Sequence, residues 1–240
     1  MMIGSLWLGQ IALFAIGWLG PWRDAPALKN AGRLPRPARM LLSLSLVATA
    51  LLIWRSRTGG MPVYYSEWVA FGMIASFVGD LVMARLIPAP NRLIGGMLAF
   101  AIAHGLYIKA YVNTIQTISS IGAYERWNTG LAIGLVGYGL VTALGWWFLI
   151  RNPEKGIAIN IGALIYGLWI SVMASFALAL GLALGGAFWL TALGGLFFVA
   201  SDFIIGVTDI GGIHLKNAND WVWLTYVAGQ MGIIYAGVFQ

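Results

Sequence analysis

Charged side chains are too scarce in this chain to coat a water-soluble globule. Only 9% of its 240 residues are Asp, Glu, Lys or Arg, while 60% are hydrophobic. A soluble domain carries about 25% charged residues. A surface that faces lipid has no such requirement. The 12 Trp and 32 Gly fit a membrane setting, because Trp gathers at membrane interfaces and Gly lets membrane helices approach closely. At about 20 residues per span, the length holds about eight helices and leaves no room for a separate soluble domain. The expectation is an all-α integral membrane protein, one helical domain over residues 1–240.

The sequence contains no Cys, which excludes a thiol nucleophile, a disulfide framework and a thiolate metal site. The net charge of +6 does not call for nucleic acid, since cytoplasmic loops of membrane proteins collect Lys and Arg. The apolar stretch Leu6–Leu19 has no basic residue before it. Arg23, Lys29, Arg33, Arg36 and Arg39 follow it instead, the reverse of a secretory signal, so the segment reads as a retained first span.

Apolar runs between turn residues place spans near 6–22, 38–54, 67–87, 91–113, 130–150, 157–181, 184–208 and 220–239. Pro35 and Pro37, Gly59-Gly60 with Pro62, Pro88 and Pro90, and Asn152-Pro153 mark the breaks. The break at Gly185-Gly186 carries no charge, so a single long broken helix there, and a count of seven, stays open. Alternating ends place ten Lys and Arg on one side (Arg23, Lys29, Arg33, Arg36, Arg39, Arg85, Arg92, Arg151, Lys155, Lys216). Four lie on the other (Arg55, Arg57, Lys109, Arg126), which accounts for all 14. The richer side is expected to be cytoplasmic, with both termini outside, in a multi-pass protein of the cell membrane.

An ionisable side chain inside a membrane helix costs about 2.5–3.5 kcal/mol on insertion scales, and normally faces the bundle interior. Asp80, His104 and Asp202 are the residues that incur this cost. Tyr107, Tyr166, Tyr226 and Gln230 add polar groups that hydrocarbon would leave unsatisfied. At 1.5 Å per residue, Asp80, Asp202 and Tyr226 come to one layer about 10 Å inside the cytoplasmic end. Gln230 lies a turn deeper on the face of Tyr226. His104 counts to about 20 Å, too deep to meet the pair, with Tyr107 on its face. Two carboxyls sharing a low-dielectric layer cannot both ionise cheaply, so one supplies a proton and the other a base. The alternative is that each Asp merely bonds a neighbouring helix. No close-spaced ligand motif joins His104 to the acids, and no metal or other cofactor is expected. No phosphate loop, nucleophile elbow or dinucleotide fingerprint is present. "GYG" and "GALIYG" read as packing surfaces. "ASFVGD" and "FFVASD" read either as two four-helix halves or as chance similarity of apolar segments.

The ordered set "SFVGDLVMARL", "GGMLAFAIAHGLYIKAY", "YGLWISVMASFAL", "GGLFFVASDFIIGV" and "TYVAGQ" resembles the YhhN-like lysoplasmalogenase family of membrane hydrolases. The resemblance spans about two-thirds of the chain. It departs from the family's pattern before the second span, where Lys29 and Pro35 stand apart in "LKNAGRLPRPARM" instead of forming a Lys-Pro pair. The resemblance implies cleavage of the vinyl-ether bond of a lysophospholipid taken from the bilayer, giving a fatty aldehyde and a glycerophospho-alcohol. It implies that Asp80 and Asp202 act as acid and base, in either order. It also implies that His104, Tyr107, Tyr226 and Gln230 orient water or the ether oxygen. Tyr166 adds a further polar contact for substrate, and Arg85 either snorkels to phosphates or, with Arg92, holds a lipid headgroup near the acids. A proton-coupled carrier using the same Asp pair is the alternative from another class.

Overall fold

The computed structural model describes residues 7–12, 15, 34–57 and 61–238, with the backbone alone at 61 and 62. The described residues form helices and connecting turns, without a strand. We label the helical residues 7–12 α1. They are followed by α2 (Arg36–Ser56), α3 (Met61–Met83), α4 (Arg92–Gln116), α5 (Ile121–Gly145), α6 (Ile157–Leu184), α7 (Phe188–Ile205) and α8 (Ala218–Ala236). Six of these, α2 to α7, are long and apolar enough to cross a membrane. Most of the expected first span, with Arg23, Lys29 and Arg33, lies outside the described residues.

The helix boundaries have local causes. Pro35 caps α2, with Pro37 in its first turn, where a missing N–H costs nothing. Asn91 caps α4 by accepting from the Leu93 and Ile94 amides at 3.0 and 3.3 Å, and the Ser120 side chain caps α5 in the same manner. Gly185 and Gly186 both take positive φ, at 69° and 51°. That conformation favours glycine, and it ends α6 before α7. The two are therefore separate helices, not one broken one. Helix α3 begins at Met61 and α5 at Ile121, well before the expected Glu67 and Gly130. Helix α3 ends at Met83, one turn beyond Asp80, where the chain turns through Arg85 at φ 60°.

Helices α5 and α7 each finish in a π-helical turn, Trp146–Ile150 and Gly206–Ile210. Asn152 ties these ends together by donating from Nδ2 to the Ile210 carbonyl at 3.1 Å. Buried Asn160 closes the corner, accepting from the Asn152 amide at 2.7 Å. At the opposite end, Arg57 donates to the Gly237 and Val238 carbonyls, joining α2 to α8. The described arginines and lysines thus divide by end. Arg36, Arg39, Arg85, Arg92, Arg151, Lys155 and Lys216 share one end, and Arg55, Arg57, Lys109 and Arg126 the other.

Small residues set the closest approach. A Cβ on Gly194 of α7 would lie 2.7 Å from the Gly229 carbonyl oxygen of α8, so only glycine lets these backbones meet. The "GYG" stretch behaves otherwise than expected. Nothing lies within 4 Å of a Cβ built on Gly137 or Gly139; they face outward from the bundle. The core itself is mostly aromatic and aliphatic, with Tyr65, Tyr107, Tyr111 and Phe198 fully buried.

Candidate active site

The two intramembrane acids occupy different surroundings. Asp80, on the last turn of α3, is only 5% exposed. Its Oδ2 accepts a short hydrogen bond from Ser43 of α2 and one from the Tyr226 phenol of α8 at 2.7 Å. Both hydroxyls converge on the same carboxyl oxygen. Asp202, on α7, accepts from the Tyr166 phenol of α6 at 2.6 Å. Each acid therefore takes a hydroxyl from the helix that precedes its own, α2 for α3 and α6 for α7.

Asp202 also lines a cavity of about 70 Å³. Its other walls are almost wholly apolar: Met83, Leu93, Met97, Phe100, Trp146, Ile150, Ile170, Val199, Phe203 and Ile210, with Ala163 and Gly167. Tyr166 and Thr142 add hydroxyls. Both π-helical turns contribute lining residues, so the widened turns shape this space. Asp80 does not line it. Between the cavity and Asp80 stand Phe100, Phe198 and Tyr226, packed edge to face with ring centroids 5.5–6.1 Å apart. Each carboxyl bonds its own hydroxyls.

The remaining expected residues fall on both sides of this partition. Tyr107 is fully buried and donates to Gln230 Oε1 at 2.7 Å. Ser76 of α3 lies 3.3 Å from the same phenol. His104 is fully buried too. Its ring is 4.7 Å from that of Phe198, edge to face, and 6.0 Å from that of Tyr166. Among the described residues no hydrogen bond joins His104 to either acid. Tyr166 of α6 links His104 to Asp202 at one remove, with its ring beside the imidazole and its hydroxyl on the carboxyl. Arg85 stands on the turn after α3, outside the cavity lining.

Three neighbours of Asp80 went unrecognised in the sequence. Ser43 is one; a hydroxyl in an apolar helix can bond its own backbone and raises no alarm. Arg39 lies one turn before Ser43 on the same face of α2, with its guanidinium 5.5 Å from the Trp223 ring. Trp223 in turn packs edge to face on Tyr226 at 5.5 Å. A basic residue spaced four before a serine at a span's start was the available signal. Among the described residues, no three His, Cys, Asp or Glu side chains converge as a metal site would need.

Residues 36–237 match the model of the YhhN family. No curated protein and no solved structure matches the chain.

Proposed function

The chain belongs to the YhhN family, and on that premise we propose that it is a membrane hydrolase cleaving the vinyl-ether bond of lysoplasmalogen-type lipids. The observation that carries this reading is Asp202, a carboxyl held by a phenol on the wall of an otherwise apolar cavity between membrane helices. A fatty alkenyl chain suits such walls, and places its first two carbons and ether oxygen beside the acid. Protonated Asp202 gives its proton to the alkenyl carbon remote from oxygen. The electron pair of the double bond forms the new C–H bond, leaving an oxocarbenium ion. Asp80, supplied with two hydroxyl donors, lends negative charge that favours this cation. Water adds to the cationic carbon and returns a proton to Asp202. The hemiacetal then collapses to aldehyde and alcohol. Asp202 is thus the acid in contact with substrate, and Asp80 acts through its charge.

The lysophospholipid comes from the bilayer, with its headgroup toward the end that carries seven described basic residues. Arg85 and Arg39 are the candidate partners of its phosphate there. On this reading that end faces the cytoplasm of the cell membrane, and the chain termini lie outside the described residues.

The test is incubation of detergent-purified protein with an alkenyl lysophospholipid, measuring aldehyde. Asp202→Asn is expected to lower the rate by about 10²–10⁴-fold, the usual contribution of a general acid, with thermal stability retained. Asp80→Asn is expected to lower it less. Full activity in folded Asp202→Asn would remove the acid from the mechanism. Pyranine-detected proton uptake coupled to solute movement in vesicles, with no cleavage of any vinyl ether, would favour a carrier instead.

A further inference from the structure

His104 has both ring nitrogens buried without a hydrogen-bond partner among the described residues, and Gln230 has its Nε2 in the same condition. A neutral imidazole carries one donor and one acceptor. Buried polar atoms in native proteins are nearly always paired, and a phenylalanine would fill this position without that cost. The two residues belong to one neighbourhood. Tyr107, three residues after His104 on the same face of α4, donates to the Gln230 carbonyl oxygen at 2.7 Å. Phe198 touches the His104 ring and packs on Tyr226, one turn before Gln230 on α8. A guest for these atoms must both accept and donate, and must be small enough to sit beside the Phe198 and Tyr166 rings that flank His104. Water meets both conditions.

We propose that His104 and Gln230 hold buried water behind the cavity wall, and that this water is the nucleophile of the hydrolysis. The second half rests on the ether-hydrolase reading. Tyr166 links the two places, its ring beside His104 at 6.0 Å and its hydroxyl on Asp202. An apolar membrane interior supplies little water of its own, so hydrolysis there depends on a stored molecule. Its oxygen forms the bond to the cationic carbon, and its proton passes to the Asp202 carboxylate. His104 is a positioning residue in this scheme, since it touches the water and not the lipid.

The chain has two His, and His214 lies exposed in the loop before α8. The variant His214→Ala therefore leaves His104 as the only imidazole, with the site untouched. In ¹⁵N-imidazole-labelled protein in lipid nanodiscs, magnetisation is expected to pass from water to the His104 N–H. Absence of that transfer, with ring-proton exchange into D₂O taking hours, overturns the water site. A second measurement tests delivery. His104→Phe is expected to release aldehyde about tenfold more slowly or worse. With methanol added, its yield of mixed acetal relative to aldehyde should rise several-fold over wild type, because the cation still forms but lacks its held water. An unchanged ratio overturns delivery. Water transfer in a wild-type protein that cleaves no vinyl ether would sink the enzymatic reading and leave the water site standing. Cleavage without water transfer would do the reverse.

Discussion

Replacing Tyr166 by Phe removes one oxygen from the site and leaves the ring that packs beside His104. The lost atom is the donor to Asp202 at 2.6 Å. In the proposed mechanism Asp202 gains negative charge as its proton moves to carbon, so this hydrogen bond is stronger in the transition state than before it. Hydrogen bonds to charged groups contribute about 1.5–3 kcal/mol. Each 1.36 kcal/mol is tenfold in rate, so the loss is about 10- to 150-fold in kcat. KM should change little, because Asp202 is protonated and uncharged when the lipid binds. The assay is steady-state aldehyde release by Tyr166→Phe against wild type, with thermal unfolding followed in parallel. A variant that keeps more than half of wild-type kcat would show that the phenol does not serve the acid. A rise in KM alone would mean that it serves only binding.

Around Asp80, Ser43→Ala and Tyr226→Phe each take away one donor from the same oxygen. Each is expected to lower stability by about 1–3 kcal/mol. The double variant should depart from the sum, because the two share an acceptor; unfolding in detergent measures all three. Gly194→Leu puts side-chain atoms where the Gly229 carbonyl stands and should destabilise by about 1–3 kcal/mol or more, whereas Gly137→Ala meets open space and should be neutral or slightly stabilising. Equal melting temperatures for these two variants would contradict the α7–α8 packing. Ala163→Phe fills the cavity beside Asp202. It should raise KM for long alkenyl chains more than for short ones, and a uniform effect would mean that the chain lies elsewhere.

Much of the helical plan was legible because lipid imposes a simple rule. Apolar runs the width of a bilayer must be helices, and Pro, Gly and Asn end them. The starts of α3 and α5 were misjudged for a physical reason. Tyr64, Ser66, Tyr124 and Glu125 look like loop, but a helix already nucleated extends into the interface with its backbone bonds satisfied. Gly185-Gly186 could mark a kink or a chain reversal until the positive φ of both was known. The burial of "GYG" was misread, since Gly137 and Gly139 face outward. Composition cannot distinguish a glycine packed on a neighbour from one that faces away.

Asp80 and Asp202 stood out in the sequence because a carboxyl within an apolar run has a cost with few remedies. Tyr166, Tyr226, Tyr107 and Gln230 stood out as polar groups in need of partners. Which partner each would find was beyond reach of the chain order. Tyr226 bonds Asp80, 146 residues away, and Tyr166 bonds Asp202, 36 residues away. Counting 1.5 Å per residue gave depth along each axis. It could not see a tyrosine side chain bridging from α6 to both His104 and Asp202. Ser43 alone carried no anomaly, and Arg39 four residues before it counted only toward the basic end. By itself, then, the chain determined that acids lie buried among membrane helices, since solvation energy depends on residue type. Only the tertiary structure decided that one acid opens on the apolar cavity and the other is sealed behind aromatic rings, because that depends on which helix faces which.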